Sequence, residues 1–276
     1  MYNLLIALGV GLAITLGVKL TGLGPLWAGI IPGIIALVAT YVVLAQRVGK
    51  QLQALMLAVQ KELQGQPTSQ KEAQARIERA IKMLEGGLVY EKQQFLVGPE
   101  IHAQIGMLKY MSKDLDGARP HFARASARNY MAKAMEGALF FQKKDGAAMK
   151  KAFEAATVSG KKESIVWAVY AWCLVQNKQK DEALQVLGRG VAANPSDEKL
   201  KSSLSALQND KRLKMKPYEP LWWQFGLEAP PPQMIGGGGG GRRFQFSPRR
   251  GPRPSGNSYR VAFPPMLQVL PIPAAG

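Results

Sequence analysis

The chain has 276 residues, a formal net charge of +17 and a sequence pI near 10.0. Its single cysteine, Cys173, excludes an intramolecular disulfide, and its two histidines, His102 and His121, are too few and too isolated for a metal centre. Hydrophobic residues make up 47% of the sequence, but they are distributed unevenly, and that distribution sets the organisation of the chain.

Residues 1–46 hold two apolar runs, Leu4 to Val18 and Leu26 to Ala45. Lys19 and the turn Thr21-Gly22-Leu23-Gly24-Pro25 separate them. The second run is long enough to cross a hydrocarbon core of ~30 Å as a helix. The first reaches that length with the uncharged Met1-Tyr2-Asn3 and a snorkelling Lys19. Backbone groups in lipid must be satisfied within the segment, so both runs are expected to be helices, joined as an antiparallel transmembrane hairpin. Gly9, Ala13 and Gly17 share one face, and Gly29 and Gly33 form a GxxxG pair; these small residues are expected to meet. Pro32 is expected to kink the second helix. A cleaved signal peptide competes for the first run, but the N-terminus carries no basic side chain and Leu16-Gly17-Val18-Lys19 is not a small-residue cleavage site. Arg47, Lys50 and Lys61 follow the second run, against Lys19 alone in the turn. The positive-inside bias therefore predicts both termini in the cytoplasm, in a bacterial inner membrane.

Residues 47–66 predict a juxtamembrane helix that continues the second apolar helix outward, with Leu52, Leu55, Met56, Val59 and Leu63 on one stripe. That stripe is available to the membrane surface, to another copy of the chain, or to the domain that follows. Residues 67–98 predict a further helix, capped at Thr68 or Ser69, with Ala73, Ile77, Ile81 and Leu84 on one face and a stop at Gly86-Gly87.

From 99 to 210 a pattern recurs. Gly106, Ala118, Phe122 and Ala125 are followed by Gly137, Met149, Phe153 and Ala156, then by Trp167, Ala171, Ala183, Leu187 and Pro195. Aligned on these residues, the units start 31 and 34 residues apart. Each pairs a small residue in a first helix with a slim and then a bulky residue in a second, so that the helices cross closely and the bulky side chain fills the gap to the next unit. Ser196 is the expected cap of a closing helix, with Leu200, Leu204 and Leu207 on its buried face.

On these residues the chain resembles the tetratricopeptide repeat family. The last unit carries the resemblance best, through Trp167, Ala171, Asn177-Lys178-Gln179-Lys180, Asp181-Glu182-Ala183-Leu184, Leu187 and Asn194-Pro195. The first shows Ile105-Gly106, Leu115-Asp116-Gly117-Ala118 and Phe122-Ala123-Arg124-Ala125. The middle unit is short and has Met149 where the family has Ala; residues 68 to 98 are a candidate degenerate unit. The resemblance implies an all-α fold: a tetratricopeptide-like α-solenoid behind the transmembrane hairpin, with a disordered C-terminal tail. It also implies a concave groove lined by Ala103, Met107 and Tyr110, by Ala134, Ala138 and Phe141, and by Ala168, Trp172 and Val175. The family's Lys, Arg and Asn clamp for peptide carboxylates is missing at these positions. The groove instead suits an apolar or amphipathic segment, and packing between neighbouring helices is the competing role for the same residues.

Residues 211–235 combine a basic run (Lys211, Arg212, Lys214, Lys216) with Leu221-Trp222-Trp223-Gln224-Phe225 between prolines. This aromatic stretch is expected to fold back into the groove or over the cap helix, or else to anchor at a membrane interface. Residues 236–276 read as a Gly-, Pro- and Arg-rich disordered tail, with six Arg and no acidic residue after Glu228. Arg242, Arg243, Arg249 and Arg250, close to Phe244 and Phe246, suit anionic lipid or single-stranded nucleic acid, and a bland solubilising tail fits as well.

No catalytic motif surrounds any Ser, Asp or His, and the six glycines from Gly236 lack the GK[ST] ending of a phosphate loop. The expectation is a non-enzymatic, cytosol-facing membrane scaffold or adaptor without cofactor or metal, able to self-associate and to bind a protein segment. The alternative is an anionic-lipid or nucleic-acid binder acting through its basic surface and tail, with nucleic acid the less favoured ligand.

Overall fold

In the structure, a computed structural model, residues 2–21, 26–64, 70–94 and 96–228 are described. Among them the chain is all-helical, with ten α-helices and no strand. Arg242, Arg243, Arg249 and Arg250 lie outside the described residues, as does the expected cap at Thr68 or Ser69.

Helices α1 (Tyr2–Leu20) and α2 (Leu26–Gln64) are both long and apolar enough to cross a membrane. They pack closely on each other, while Leu5, Leu12, Ile31, Ile34 and Ile35 point outward with no protein cover. On α1 the contact face differs from the one expected. Asn3, Ala7 and Gly11 are the buried residues of α1, whereas a side chain at Gly9 or Gly17 would meet nothing within 4 Å. A Cβ on Gly11 would lie 2.9 Å from the Gly33 carbonyl oxygen, and one on Gly29 only 2.7 Å from that of Thr15. The Thr15 hydroxyl donates to the carbonyls of Gly11 (2.9 Å) and Gly29 (3.2 Å). The hairpin thus closes where a hydroxyl can bridge two backbones, a tie that the bare spacing of small residues does not reveal.

The stripe at 47–64 continues the second apolar helix, as expected: α2 runs unbroken through Pro32 and Arg47 for 39 residues. Beyond the apolar hairpin, Val48, Met56, Val59 and Leu63 of α2 are buried against α3 (Gln70–Gly87) and α4 (Val97–Met111). Ala80, Leu84, Ile101, Ile105 and Leu108 complete this core. A short 3-10 turn, Leu88–Lys92, follows α3.

Three helix pairs come next: α4 with α5 (Leu115–Arg124), α6 (Tyr130–Gln142) with α7 (Gly146–Ser159), and α8 (Ser164–Gln176) with α9 (Lys180–Ala193). Helices α4, α6 and α8 pack in succession, and α10 (Glu198–Gln208) packs on α8 and α9. The small-to-bulky interlock read from the sequence is present in the first two pairs. A Cβ on Gly106 would stand 2.9 Å from Cδ1 of Phe122, and one on Gly137 2.7 Å from Cδ2 of Phe153. Phe153 then stacks on Tyr170 of the next pair, with ring centroids 5.0 Å apart. In the third pair the partners reverse, Gly190 receiving Trp167. Ala118, Ala156, Ala171, Ala183 and Leu187 are wholly buried and Ala125 partly so.

The turns inside the pairs share one design. Lys113, Lys144 and Lys178 each take a left-handed conformation (φ 69°, 60° and 61°). The next amide donates back to Lys109, Phe140 and Leu174 respectively, closing a Schellman-type end. Asp114 and Asp145 then cap α5 and α7 by accepting from the amides of Gly117 and Ala148. The cap of α10 is Asp197, not Ser196: its carboxylate accepts from the amides of Lys199 and Leu200, one residue later than the sequence suggested.

Candidate functional site

The groove positions converge on one cleft, formed by α4, α6 and α8. Ala103, Met107, Tyr110, Ala134, Ala138, Ala168 and Trp172 are buried in it, while Phe141 and Val175 are half-buried at its edge. Phe141 meets Trp172 edge-on at 5.7 Å between centroids.

The cleft is filled by the chain itself. Leu213, Met215, Tyr218, Trp222 and Phe225 of the stretch 211–228 are buried in the core that α4, α6 and α8 help to form. In the basic run the side chains alternate, with Leu213 and Met215 buried and Lys211, Arg212, Lys214 and Lys216 exposed. Tyr218 is buried with its hydroxyl 2.8 Å from that of Ser203, and burial pushes its pKa up to about 12. The 3-10 turn Leu221–Phe225 then places Trp222 and Phe225 in the cleft, at 1% and 0% exposure. Trp222 meets Trp172 edge-on at 5.1 Å.

Two polar contacts fix the backbone of this segment. Tyr110 donates its hydroxyl proton to the Phe225 carbonyl (2.5 Å) and accepts from Gln142 Nε2 (2.7 Å). Lys113 Nζ donates to the Gly226 carbonyl (3.2 Å). Burial holds the Tyr110 phenol far above its ordinary pKa, so it remains a donor at any working pH. Gly226 reverses the chain in a left-handed conformation (φ 54°). Trp222 Nε1 and both side-chain polar atoms of Gln224 are buried without a partner among the described residues.

Gln142, Lys113 and Ser203 were missed from the sequence. Gln142 had a usable signal, standing 32 residues beyond Tyr110 and so near the same position of the next unit. Lys113 and Ser203 had none, because their partners arrive from a part of the chain without any repeat. At the edge of the filled cleft a hollow of about 520 Å³ stays open between Phe141, Gln142, Lys144, Gly146 and Asn177.

His102 and His121, read as unrelated, meet across α4 and α5 with their Nδ1 atoms 3.1 Å apart. Burial lowers the pKa of both, and each is further lowered by a neighbouring cation or imidazole. Cys173 is wholly buried, and burial raises its thiol pKa, as fits a core residue. No group of three or more His, Cys, Asp or Glu placed to hold a metal occurs among the described residues.

Comparison of the chain with protein-family models, with curated proteins and with solved structures returned no match.

Proposed function

We propose that the protein is a membrane-anchored scaffold whose helix pairs form a tetratricopeptide-like solenoid in the cytosol, with α4, α6 and α8 as its peptide-binding face. One observation carries this reading: that face already holds a peptide. The segment from Trp222 to Gly226 lies in it with aromatic side chains in the cleft and two backbone carbonyls hydrogen-bonded to Tyr110 and Lys113. A cleft that recognises one segment by apolar pockets and main-chain contacts is chemically suited to others of the same kind. The open hollow beside Phe141 gives a partner access to the edge of the occupied cleft. Anchoring by α1 and α2 confines the face to a surface and raises its effective concentration for partners there.

The test is co-purification of the full chain from detergent, compared with a Phe141→Arg, Val175→Arg variant. Both positions are half-buried at the cleft edge, so the fold tolerates the change. The expected result is a set of proteins retained by the parent chain and lost from the variant. If the same proteins follow both chains, and also follow residues 1–66 alone, the cleft is not the binding face.

A second reading has its own observation. Lys211, Arg212, Lys214 and Lys216 form a basic ribbon on the solvent side, while Leu213 and Met215 pin it to the core. Such a ribbon suits anionic headgroups or nucleic acid. Reversal of these charges together with removal of 229–276 separates the two: loss of the partners here, with none from the cleft variant, supports the basic surface.

A further inference from the structure

We propose that the turn between α3 and α4, residues 88–94 with Leu96, rests in the lipid headgroup layer and forms a second membrane contact beside the helical hairpin. The inference builds on the membrane-anchored reading above and follows from the helix register.

The hairpin sets the level of the bilayer edge. Gly11 lies against Gly33 and Leu37, and Thr15 against Gly29. Continued one residue for one, Tyr2 falls opposite the stretch from Val42 to Gln46. Arg47, exposed and charged, is the first residue beyond this edge.

Helix α3 runs back along α2 toward that edge. Arg79 pairs with Glu62 (2.7 Å), and eight residues later a side chain on Gly87 would touch Leu55. From Leu55 down to Arg47 is eight helical residues, about 12 Å at 1.5 Å each. Leu55 itself leans toward the N-terminus of its helix, which shortens the gap. Helix α4 leaves from the same level, since Ile101 also lies against Gly87, 3.3 Å from its added Cβ. Its first residue, Val97, stands one turn earlier, about 6 Å nearer the bilayer. The chain therefore enters the turn on the membrane side of Gly87, and Leu88 and Tyr90 of the turn pack into the same cluster as Val48 and Val97. Val48, just past the bilayer edge, is buried in the cluster that Leu88 and Tyr90 help to close, which places the turn at that height.

The chemistry of the turn suits an interface. Val89 and Leu96 are 69% and 44% exposed, an apolar display with no protein partner. Arg47 and Lys50, on the turn of α2 that carries Val48, and Lys92 within the 88–94 turn are exposed cations at the same level. Two apolar side chains with cations at their level, held beside a membrane-spanning helix, match the acyl-to-headgroup boundary. A second copy of the chain is the other conceivable cover, and the experiment distinguishes it.

The full chain is reconstituted in nanodiscs of anionic and zwitterionic lipid, with a single environment-sensitive fluorophore on Val89→Cys, Leu96→Cys, Ile35→Cys or Val158→Cys. Cys173 is wholly buried and stays unlabelled. Ile35 faces outward in the hairpin, and Val158 is 81% exposed on α7. Emission and quenching by spin-labelled lipid are recorded alongside quenching by aqueous iodide. The expected result is a blue shift and lipid quenching at Val89 and Leu96 intermediate between Ile35 and Val158. If Ile35 is lipid-quenched while Val89 and Leu96 match Val158, the headgroup contact is refuted and the anchored reading stands. If Val89 and Leu96 are shielded from both quenchers, protein covers the turn and the proposal fails. If Ile35 too is quenched only by iodide, the hairpin does not span and the anchored reading falls as well.

Discussion

Replacing Trp222 with Ala tests the docking of 211–228 most directly. A buried Trp hides roughly 150–250 Å², which at ~25 cal/mol per Å² is about 4–6 kcal/mol of apolar transfer. Alanine retains a small share, and loss of the edge-on contact with Trp172 removes a further ~0.5–1.5 kcal/mol. Against this, Nε1 is buried without a partner, and releasing it to water returns about 1–3 kcal/mol. The balance is a loss of about 3 kcal/mol, at the low end of the ~3–5 kcal/mol found for large aromatic deletions in cores. This segment follows the last α-helix of the described residues, so the loss is expected as easier local release, with the helix pairs largely intact. About 3 kcal/mol is roughly a hundredfold in the opening equilibrium. Native-state hydrogen exchange on the full chain in detergent reads it at the amides of Tyr218 and Gly226, which are bonded to the carbonyls of Met215 and Trp223. Limited proteolysis within 217–226 should accelerate in parallel. Trp223, only half-buried, should give less than half the effect when truncated. Unchanged exchange and proteolysis in Trp222→Ala would refute the docking argument.

Gly137→Ala should destabilise the soluble helices by about 1–3 kcal/mol, because the new methyl meets Phe153. Gly188→Ala, in α9 with nothing within 4 Å, should stabilise them by ~0.5–1 kcal/mol; urea midpoints of the two variants must move in opposite directions. In the hairpin, Gly33→Val should splay α1 from α2, read as a longer distance between spin labels at Leu12 and Ile34, while Gly9→Val leaves that distance unchanged. The histidine pair makes stability pH-dependent. Both folded pKa values lie below the ordinary value of about 6.5, so as pH falls through that value the unfolded chain takes up protons first. Stability is then full above about pH 6.5 and declines as the pH drops toward the folded values. A His102→Asn, His121→Asn chain should lose this slope in thermal melts between pH 7 and 5.

The repeat register was legible because local packing writes it into the sequence. Gly106 with Phe122 and Gly137 with Phe153 are close in the chain and alike in kind, so spacing alone brings them together. The hairpin was legible from apolar length, and its contact face was legible on α2, where Gly29 and Gly33 do meet α1, but not on α1. Gly9 and Gly17 have the same spacing as the true face, and only the hydroxyl of Thr15 decides between them. The continuation past residue 47 was legible too, because Leu52, Leu55, Met56, Val59 and Leu63 keep helical spacing beyond the apolar run, and α2 does extend unbroken to Gln64. Filling of the cleft was legible as a tendency, from two adjacent tryptophans beside polar sequence. Its geometry rests on Tyr110 and Phe225, which are 115 residues apart and bear no sequence relation.

The continuity of α2 has one more consequence. With no loop between the apolar hairpin and the helices that follow, the domain is phased to the hairpin like a gear on a shaft. One residue inserted between Gln46 and Val48 would turn everything beyond it by about 100° around the helix axis while lifting it only about 1.5 Å. An insertion of four residues would bring it back to within about 40° of its heading, roughly 6 Å higher. The heading of the cleft relative to the apolar hairpin is thus written into the residue count of a single helix.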